Sequence, residues 1–239
     1  TTVIWVNAKT ANPYEDRDRS AVVEVVSIDH ENAGRNVRRS FEVLQRKYTF
    51  ELIPGPDIRN IPAYKAAFPT YSANLQCSAP WEITVCPEWL SPDVTSGDGM
   101  EDVVLSFVPQ VNSSESARSG TVAVRDSYKG RELSFDAVQN GFVFDGAPVS
   151  FDDIPVMNTL SYTVTFSLTA EAPWEVVSHP AWTNPSQLSG TAYSHGEATV
   201  NFVPEPNPEL SRRSGIAVIR SKVNNGEKQV TFDQEPFEF

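Results

Sequence analysis

Two stretches decide how this chain folds: Ala79-Pro80-Trp81-Glu82 and Ala172-Pro173-Trp174-Glu175, set 93 residues apart. Self-similarity at a fixed spacing is the signature of a modular protein, and it extends outward from both stretches. Pro87 and Pro180, Trp89 and Trp182, and Ser96-Gly97 and Ser189-Gly190 keep the 93-residue offset. Beyond them the offset becomes 95, pairing Phe107-Val108-Pro109 with Phe202-Val203-Pro204, Asn112 with Asn207, Arg118-Ser119-Gly120 with Arg213-Ser214-Gly215, and Gln139 with Gln234. A drift of two residues is a small change in loop length within one structural unit.

The start of the chain carries only the back half of this pattern. Asn12, Arg19-Ser20, Phe41 and Gln45 match Asn112, Arg118-Ser119, Phe135 and Gln139. The interval from Arg to Gln is 26 residues here against 21 in both later copies, and the extra residues fall in the loop Ser27–Asn36. The expected organisation is therefore the C-terminal half of a unit over 1–47, a complete unit over 48–141 and another over 142–239. Three strands are expected in the half unit, near Val3–Val6, Ala21–Ser27 and Val37–Leu44. Three strands with one apolar face are barely stable uncovered. The face bearing Val23, Val25 and Phe41 is thus expected to pack on preceding chain, on a neighbouring molecule or on the second unit.

Each unit reads as β-structure. Val122 and Val124 alternate with Thr121, Ala123 and Arg125, and Leu133 and Phe135 alternate with Glu132, Ser134 and Asp136. Period-2 alternation marks strands with one face buried. The turn Ser127-Tyr128-Lys129-Gly130 lies between these runs, and Asn224-Asn225-Gly226 takes its place in the third unit, a hairpin signal because Asn and Gly accept positive φ. Thr163–Leu168 and Thr199–Phe202 are further strands. Short strands joined by turns, about seven per unit, predict an all-β protein of tandem immunoglobulin-like β-sandwiches.

Bulk properties narrow the function. The 239 residues are 40% hydrophobic and 21% charged, a globular composition. The net charge of −12 argues against nucleic acid, whose phosphates need clustered Lys and Arg, and against anionic membranes. No apolar run is long enough to span a bilayer. The chain does not start with Met and is expected to be a mature or trimmed form of a longer product.

The recurring residues have structural roles as their first reading. Trp81, Trp89, Trp174 and Trp182 fill the core, with stacking on a sugar ring as the alternative. Arg118 and Arg213 bond loop carbonyls at a strand start. Gln139 and Gln234 tie off backbone groups at the end of the last strand. Cys77 and Cys86 either form a disulfide or remain thiols. A tight turn at 78–80 pairs Cys77 with a residue near 81 or 82, which disfavours the bond.

The Pro-Trp strand, the second Trp, Ser-Gly, the Asn loop, Arg-Ser-Gly and a final Gln, with Gly141 close behind Gln139, resemble the BACON domain, a Bacteroidetes-associated module often N-terminal to carbohydrate-active enzymes. The resemblance covers 48–239 as two units and 1–47 as a partial one. Two features depart from it: Gln234 is followed by Glu235-Pro236, and the second unit carries additional Pro and aromatic residues between Pro54 and Tyr71. The resemblance implies an immunoglobulin-like sandwich, export to the periplasm or cell surface, an outer-membrane lipoprotein context, and either carbohydrate or mucin binding or a rigid spacer role.

An enzyme needs a constellation, and none is visible. His30, His179 and His195 fall in unrelated places, and no nucleophile, phosphate-loop or paired-His motif is present. Asp93, Asp98, Glu101 and Asp102 form an acidic loop with calcium-ligand chemistry, read as solvated because the third unit does not repeat it. No cofactor is expected. Two functions follow: a surface module that binds glycan through Tyr64, Tyr71, Tyr128 and Tyr193, or a scaffold that holds a partner domain away from the outer membrane, with a glycan or a cell-surface protein as partner. A third reading is a partner-binding subunit of an outer-membrane uptake complex.

Overall fold

The computed structural model describes residues 5–7, 10, 12–27, 37–99, 102–146, 149–157 and 160–238. Among the described residues it contains nineteen strands, one 3-10 turn over Pro56–Arg59, and no helix long and apolar enough to cross a membrane. The chain is all-β, built from tandem immunoglobulin-like sandwiches.

In the second unit, one sheet is formed by β3 (Phe50–Pro54), β4 (Tyr71–Cys77), β8 (Val103–Pro109) and β6 (Leu90–Pro92), in the order β3-β4-β8-β6. The facing sheet is β10-β9-β5-β7, made of β5 (Trp81–Val85), β7 (Ser96–Gly97), β9 (Arg118–Asp126) and β10 (Glu132–Gln139). The third unit repeats this. Its first sheet is β11-β13-β17-β15, with β11 (Phe144–Asp145), β13 (Tyr162–Leu168), β15 (Thr183–Pro185) and β17 (Glu197–Pro204). Its second is β12-β19-β18-β14-β16, with β12 (Val149–Ile154), β14 (Pro173–Ser178), β16 (Ser189–Thr191), β18 (Arg213–Ser221) and β19 (Glu227–Gln234). Two stacked sheets with this partition of strands are the immunoglobulin-like arrangement. The described strands number eight and nine rather than seven per unit, because short edge strands such as β7 and β16 add to the long ones.

Alternation explains the packing. Tyr71, Ala73, Leu75 and Cys77 of β4 point inward while Ser72 and Asn74 point out. They meet Trp81, Leu105, Phe107, Val122, Val124 and Phe135 in one core. The third core is equivalent: Val164, Phe166, Leu168, Trp174, Val200, Phe202, Ile219, Val230 and Phe232. Trp81 and Trp174 are buried in their cores, with Trp89 and Trp182 half-buried at the margins. Fully burying such a side chain contributes on the order of 1.5–3 kcal/mol. Both cysteines are free thiols: Cys77 donates to the carbonyl of Ala79 (3.0 Å) and Cys86 to that of Leu90 (3.1 Å), and burial pushes both thiols up in pKa.

β12 adds a feature to the third unit. It pairs in parallel with β19, through Val149–Val230, Ser150–Thr231, Phe151–Phe232 and Ile154–Gln234. In the second unit the same place holds the 3-10 turn and one parallel bridge, Ile61 to Gln139.

Among the described residues the strands of the first unit form one antiparallel hairpin, β1 (Arg19–Val26) and β2 (Arg38–Gln45). The expected first strand near Val3–Val6 begins outside the described residues, and so does the loop 28–36 that carries His30; Val6 is not in a strand. The second unit does not cover the hairpin face. β1 and β2 pair only with each other, and Phe41 is 43% exposed while Val23 and Val25 are half-exposed. The reason is geometric: the sheets of the second unit already close on their own core.

One contact shows what the face of β9 requires. A Cβ built on Gly120 would lie 2.4 Å from Cγ of Pro87, and one on Gly215 would lie 2.4 Å from Cγ of Pro180. The Pro-x-Trp segment lies flat against the strand there, so only glycine fits. Ala21 stands at this place in the first unit. Gly120→Ala and Gly215→Ala are each expected to destabilise their own unit by about 1–3 kcal/mol through overpacking. Urea denaturation of each variant checks this, and an unchanged midpoint would refute the contact.

Candidate functional site

The Asn, Arg and Gln that recur in all three units converge at one end of the closing hairpin of each unit. Arg118 opens β9 and Gln139 closes β10, and the antiparallel register sets them directly opposite. Nε of Arg118 donates to Oε1 of Gln139 at 2.8 Å. The same bond joins Arg213 to Gln234 (2.9 Å) and Arg19 to Gln45 (2.6 Å). Nη2 of each arginine reaches a loop carbonyl: Gln110 (2.9 Å), Glu205 (2.6 Å) and Thr10 (2.6 Å). In the two complete units the guanidinium also lies over an indole ring, Arg118 at 4.9 Å from Trp89 and Arg213 at 4.4 Å from Trp182. A planar fork that bonds an amide with one edge and stacks with its face is a role lysine cannot fill. Burial pulls both guanidinium pKa values below their usual range.

The glutamine amide completes the junction. Nε2 of Gln139 donates to the carbonyls of Pro62 (3.0 Å) and Gln110 (2.9 Å), and Nε2 of Gln234 to those of Pro155 (3.1 Å) and Glu205 (3.0 Å). Asn112 sits beside it. Its side-chain amide donates to Ser116 and Asn140, its Oδ1 accepts from the Ser114 N–H, and its own N–H donates to the carbonyl of Ala63. Asn207 repeats each of these, with Ser211, Glu235, Glu209 and Val156 as partners. Asn12 repeats the side-chain part with Arg17, Gln45, Arg46 and Tyr14. Buried amides with every group paired fix a loop in one geometry.

This network adjoins the contact between the second and third units. The loop held by Gln139 and Asn112 carries Ala63 and Tyr64 into the core of the third unit, where Ala63 is 1% exposed and Tyr64 packs against the cluster. Lys65 forms an ion pair with Glu171 at 2.7 Å. The additional residues between Pro54 and Tyr71 are therefore the part of the second unit that engages its neighbour. At the first junction, Tyr48 packs beside Tyr128 (ring centroids 5.9 Å), under the ammonium of Lys129 (4.2 Å), which also pairs with Glu15.

The four tyrosines read as ligand contacts are not gathered into one site. Tyr71 is buried in the second core and presents no face to a ligand, and Tyr64 is half-buried on the third core. Tyr128 is 42% exposed at the first junction. Tyr193 is 56% exposed and stacks on His195, ring centroids 5.4 Å apart and planes 14° apart. Its groove, about 270 Å³, is lined also by Trp174, Gln187, Gly190 and Thr191. Nδ1 of His179 lies 3.0 Å from the carbonyl oxygen of Pro180. Among the described residues no group of three or more His, Cys, Asp or Glu side chains assembles to hold a metal ion. Asp93 instead accepts the N–H groups of Val94 and Ser106, and Glu101 lies outside the described residues.

Missed from sequence was Asp126, fully buried at the end of β9. Burial raises its pKa, but the N–H groups of Lys129, Arg131 and Tyr128 bond its carboxylate and hold the pKa below the ordinary value of 3.8. Ser221 takes this place in the third unit. Because the folded-state pKa is the lower one, the carboxylate stabilises in full above the unfolded value, and the contribution disappears as pH falls through the folded one. Acid below about pH 4 is thus expected to weaken the second unit, and Asp126→Asn to flatten that dependence while costing on the order of 1–3 kcal/mol at neutral pH. Arg118→Lys is expected to cost a similar amount through the broken fork. Chemical denaturation at several pH values measures both.

No protein-family model matches the chain, and no curated protein matches it. Solved structures give distant likenesses. The D0–D1 domain of intimin is 8% identical, with a TM-score of 0.31, covering 77% of this chain and 97% of that one. A Bacteroides ovatus GH5 xyloglucanase in complex with a XXXG heptasaccharide is 18% identical (TM-score 0.31), covering 46% of this chain and 23% of that one. An endo-fucoidan hydrolase from glycoside hydrolase family 107 is 13% identical (TM-score 0.32), covering 92% and 34%. This chain thus spans a quarter to a third of the two hydrolases, and at these scores none of the three bears on what it does.

Proposed function

We propose that the chain is a non-catalytic, rigid spacer of an exported surface protein, its modules locked end to end to hold a partner domain away from the surface that anchors it. The observation that carries this reading is the placement of Ala63 and Tyr64, which leave the second unit to pack in the core of the third. Domains joined by exposed linkers move relative to one another by default. Bending this joint would draw apolar side chains out of a core, at roughly 25 cal/mol for each Å² exposed. The export setting follows the BACON resemblance. Small-angle scattering of the full chain is expected to fit a single arrangement of the second and third units, and Tyr64→Ala to broaden it. Wild-type scattering that requires an ensemble of angles between these units would sink the spacer reading.

A second reading, glycan binding, draws on the Tyr193–His195 stack, whose exposed aromatic face adjoins the groove over Trp174. Sugar rings stack on such faces through their apolar C–H surface. Calorimetry with mucin-type oligosaccharides would then show binding that Tyr193→Ala removes; silence across a glycan array would eliminate this reading.

A further inference from the structure

The third unit differs from the second in one loop. Gly97 and Gly99 stand two residues apart, whereas Gly190 and Gly196 stand six apart. The glycines correspond. A Cβ on Gly97 would lie 2.8 Å from Nε1 of Trp81, and one on Gly190 would lie 3.1 Å from Nε1 of Trp174. Gly99 and Gly196 both take positive φ, 69° and 79°. The third unit therefore carries four additional residues between the two glycines, and Tyr193 stands in that stretch. Loops set on a rigid sandwich are where such modules place their specific contacts.

This loop is pinned at both of its faces. Ala192 is buried in the third core, its N–H donates to the carbonyl of Ala172 (2.9 Å), and its carbonyl accepts from Glu171 (3.2 Å). The N–H of Tyr193 donates to the carbonyl of Glu197 (2.8 Å), and its carbonyl accepts from Gly196 (2.9 Å). His195 backs the phenol ring, and Nε2 of His195 lies 3.4 Å from the carboxylate of Glu197. An aromatic ring fixed in advance loses little freedom when a ligand arrives.

The groove of about 270 Å³ beside this ring is lined by Trp174, Gln187, Thr191 and Thr199 as well as Tyr193. Trp174 is 1% exposed, and its indole N–H has no hydrogen-bond partner in the protein. A buried donor without an acceptor is a standing cost that a ligand oxygen would remove. Gln187 uses its amide N–H on the carbonyl of Thr199 (3.3 Å), which leaves Oε1 as an acceptor. Among the described residues no charged side chain lines the groove. Hydroxyl, amide and indole groups pair with hydroxyls but leave a carboxylate or phosphate uncompensated. The volume lies just under the range that drug-sized ligands fill, so it suits one ring rather than a chain. Trp81 repeats the unpaired N–H, yet the short loop over it offers only Asp98 between its glycines.

We infer that this groove receives the terminal ring of a neutral glycan and rejects acidic sugars. The C–H face of the ring lies on Tyr193, and one hydroxyl accepts the N–H of Trp174. The inference rests on the glycan reading and adds to it the class of sugar and the buried donor that meets it.

The full chain is titrated calorimetrically with methyl β-galactoside, the methyl glycoside of N-acetylglucosamine, glucuronic acid and N-acetylneuraminic acid. At least one of the neutral pair is expected to bind, with both acids at least tenfold weaker. Tyr193→Ala and Trp174→Phe are each expected to weaken the neutral sugar about tenfold. Trp81→Phe, the same change in the second unit, is expected to leave binding as it was. Gln187→Ala lies outside the core and is expected to weaken binding several-fold, which keeps the test open should Trp174→Phe fail to fold. Acids that bind as well as the neutral sugars overturn the inference, and so does neutral binding that survives both Tyr193→Ala and Gln187→Ala. In either case the glycan reading stands with a different site or sugar class. Failure of all four sugars, with binding to some other glycan on an array, also overturns the inference alone. Silence on the array removes both. None of these outcomes touches the spacer reading, which rests on Ala63 and Tyr64.

Discussion

Everything at the ends of these modules depends on one bond, from the arginine that opens the penultimate strand to the glutamine that closes the last. It is local in space and distant in sequence, so it exists only once the hairpin has formed in register. Its consequence is larger than its energy. With one oxygen bonded to the guanidinium, the glutamine amide must aim its N–H groups at the two loops across the end of the sandwich. The loops then have one available path, and that path ends inside the neighbouring unit. A neutral amide could not orient itself this way without a fixed partner, because either end of it can turn to water.

Much of this was legible in the sequence. The tryptophans and the Arg-Ser-Gly segments recur at two offsets, and such agreement fixes the module and its class. Glycine in that segment has a steric cause, the flat proline of the Pro-x-Trp run, which spacing alone could not reveal. Arg118 and Arg213 were readable as partners of loop carbonyls, and they are; their bond to glutamine was not, because 21 residues of hairpin separate the two. Tyr71 is a case where the pattern held more than its first reading: Tyr71, Ala73, Leu75 and Cys77 keep period 2, which turns the tyrosine inward.

The joints were harder to see for a physical reason. A unit drawn from the Pro-Trp run to the final glutamine is bounded by its most recognisable residues, whereas the aromatics after the glutamine pack forward into the next core. Ala63 and Tyr64 similarly lie within one unit's sequence and the next unit's interior. Their residue types are ordinary, so only the three-dimensional junction distinguishes them.

The parallel pairing of β12 with β19 bears on how the chain responds to tension. Pulling on the two ends of the third unit draws these neighbouring strands in opposite directions along their length. Their ladder is then loaded in shear, with the rungs from Val149–Val230 to Ile154–Gln234 sharing the force. In the second unit the matching position offers the single bridge at Ile61 and a turn of 3-10 helix. Four paired positions thus lie in shear between the ends of the third unit, against one in the second.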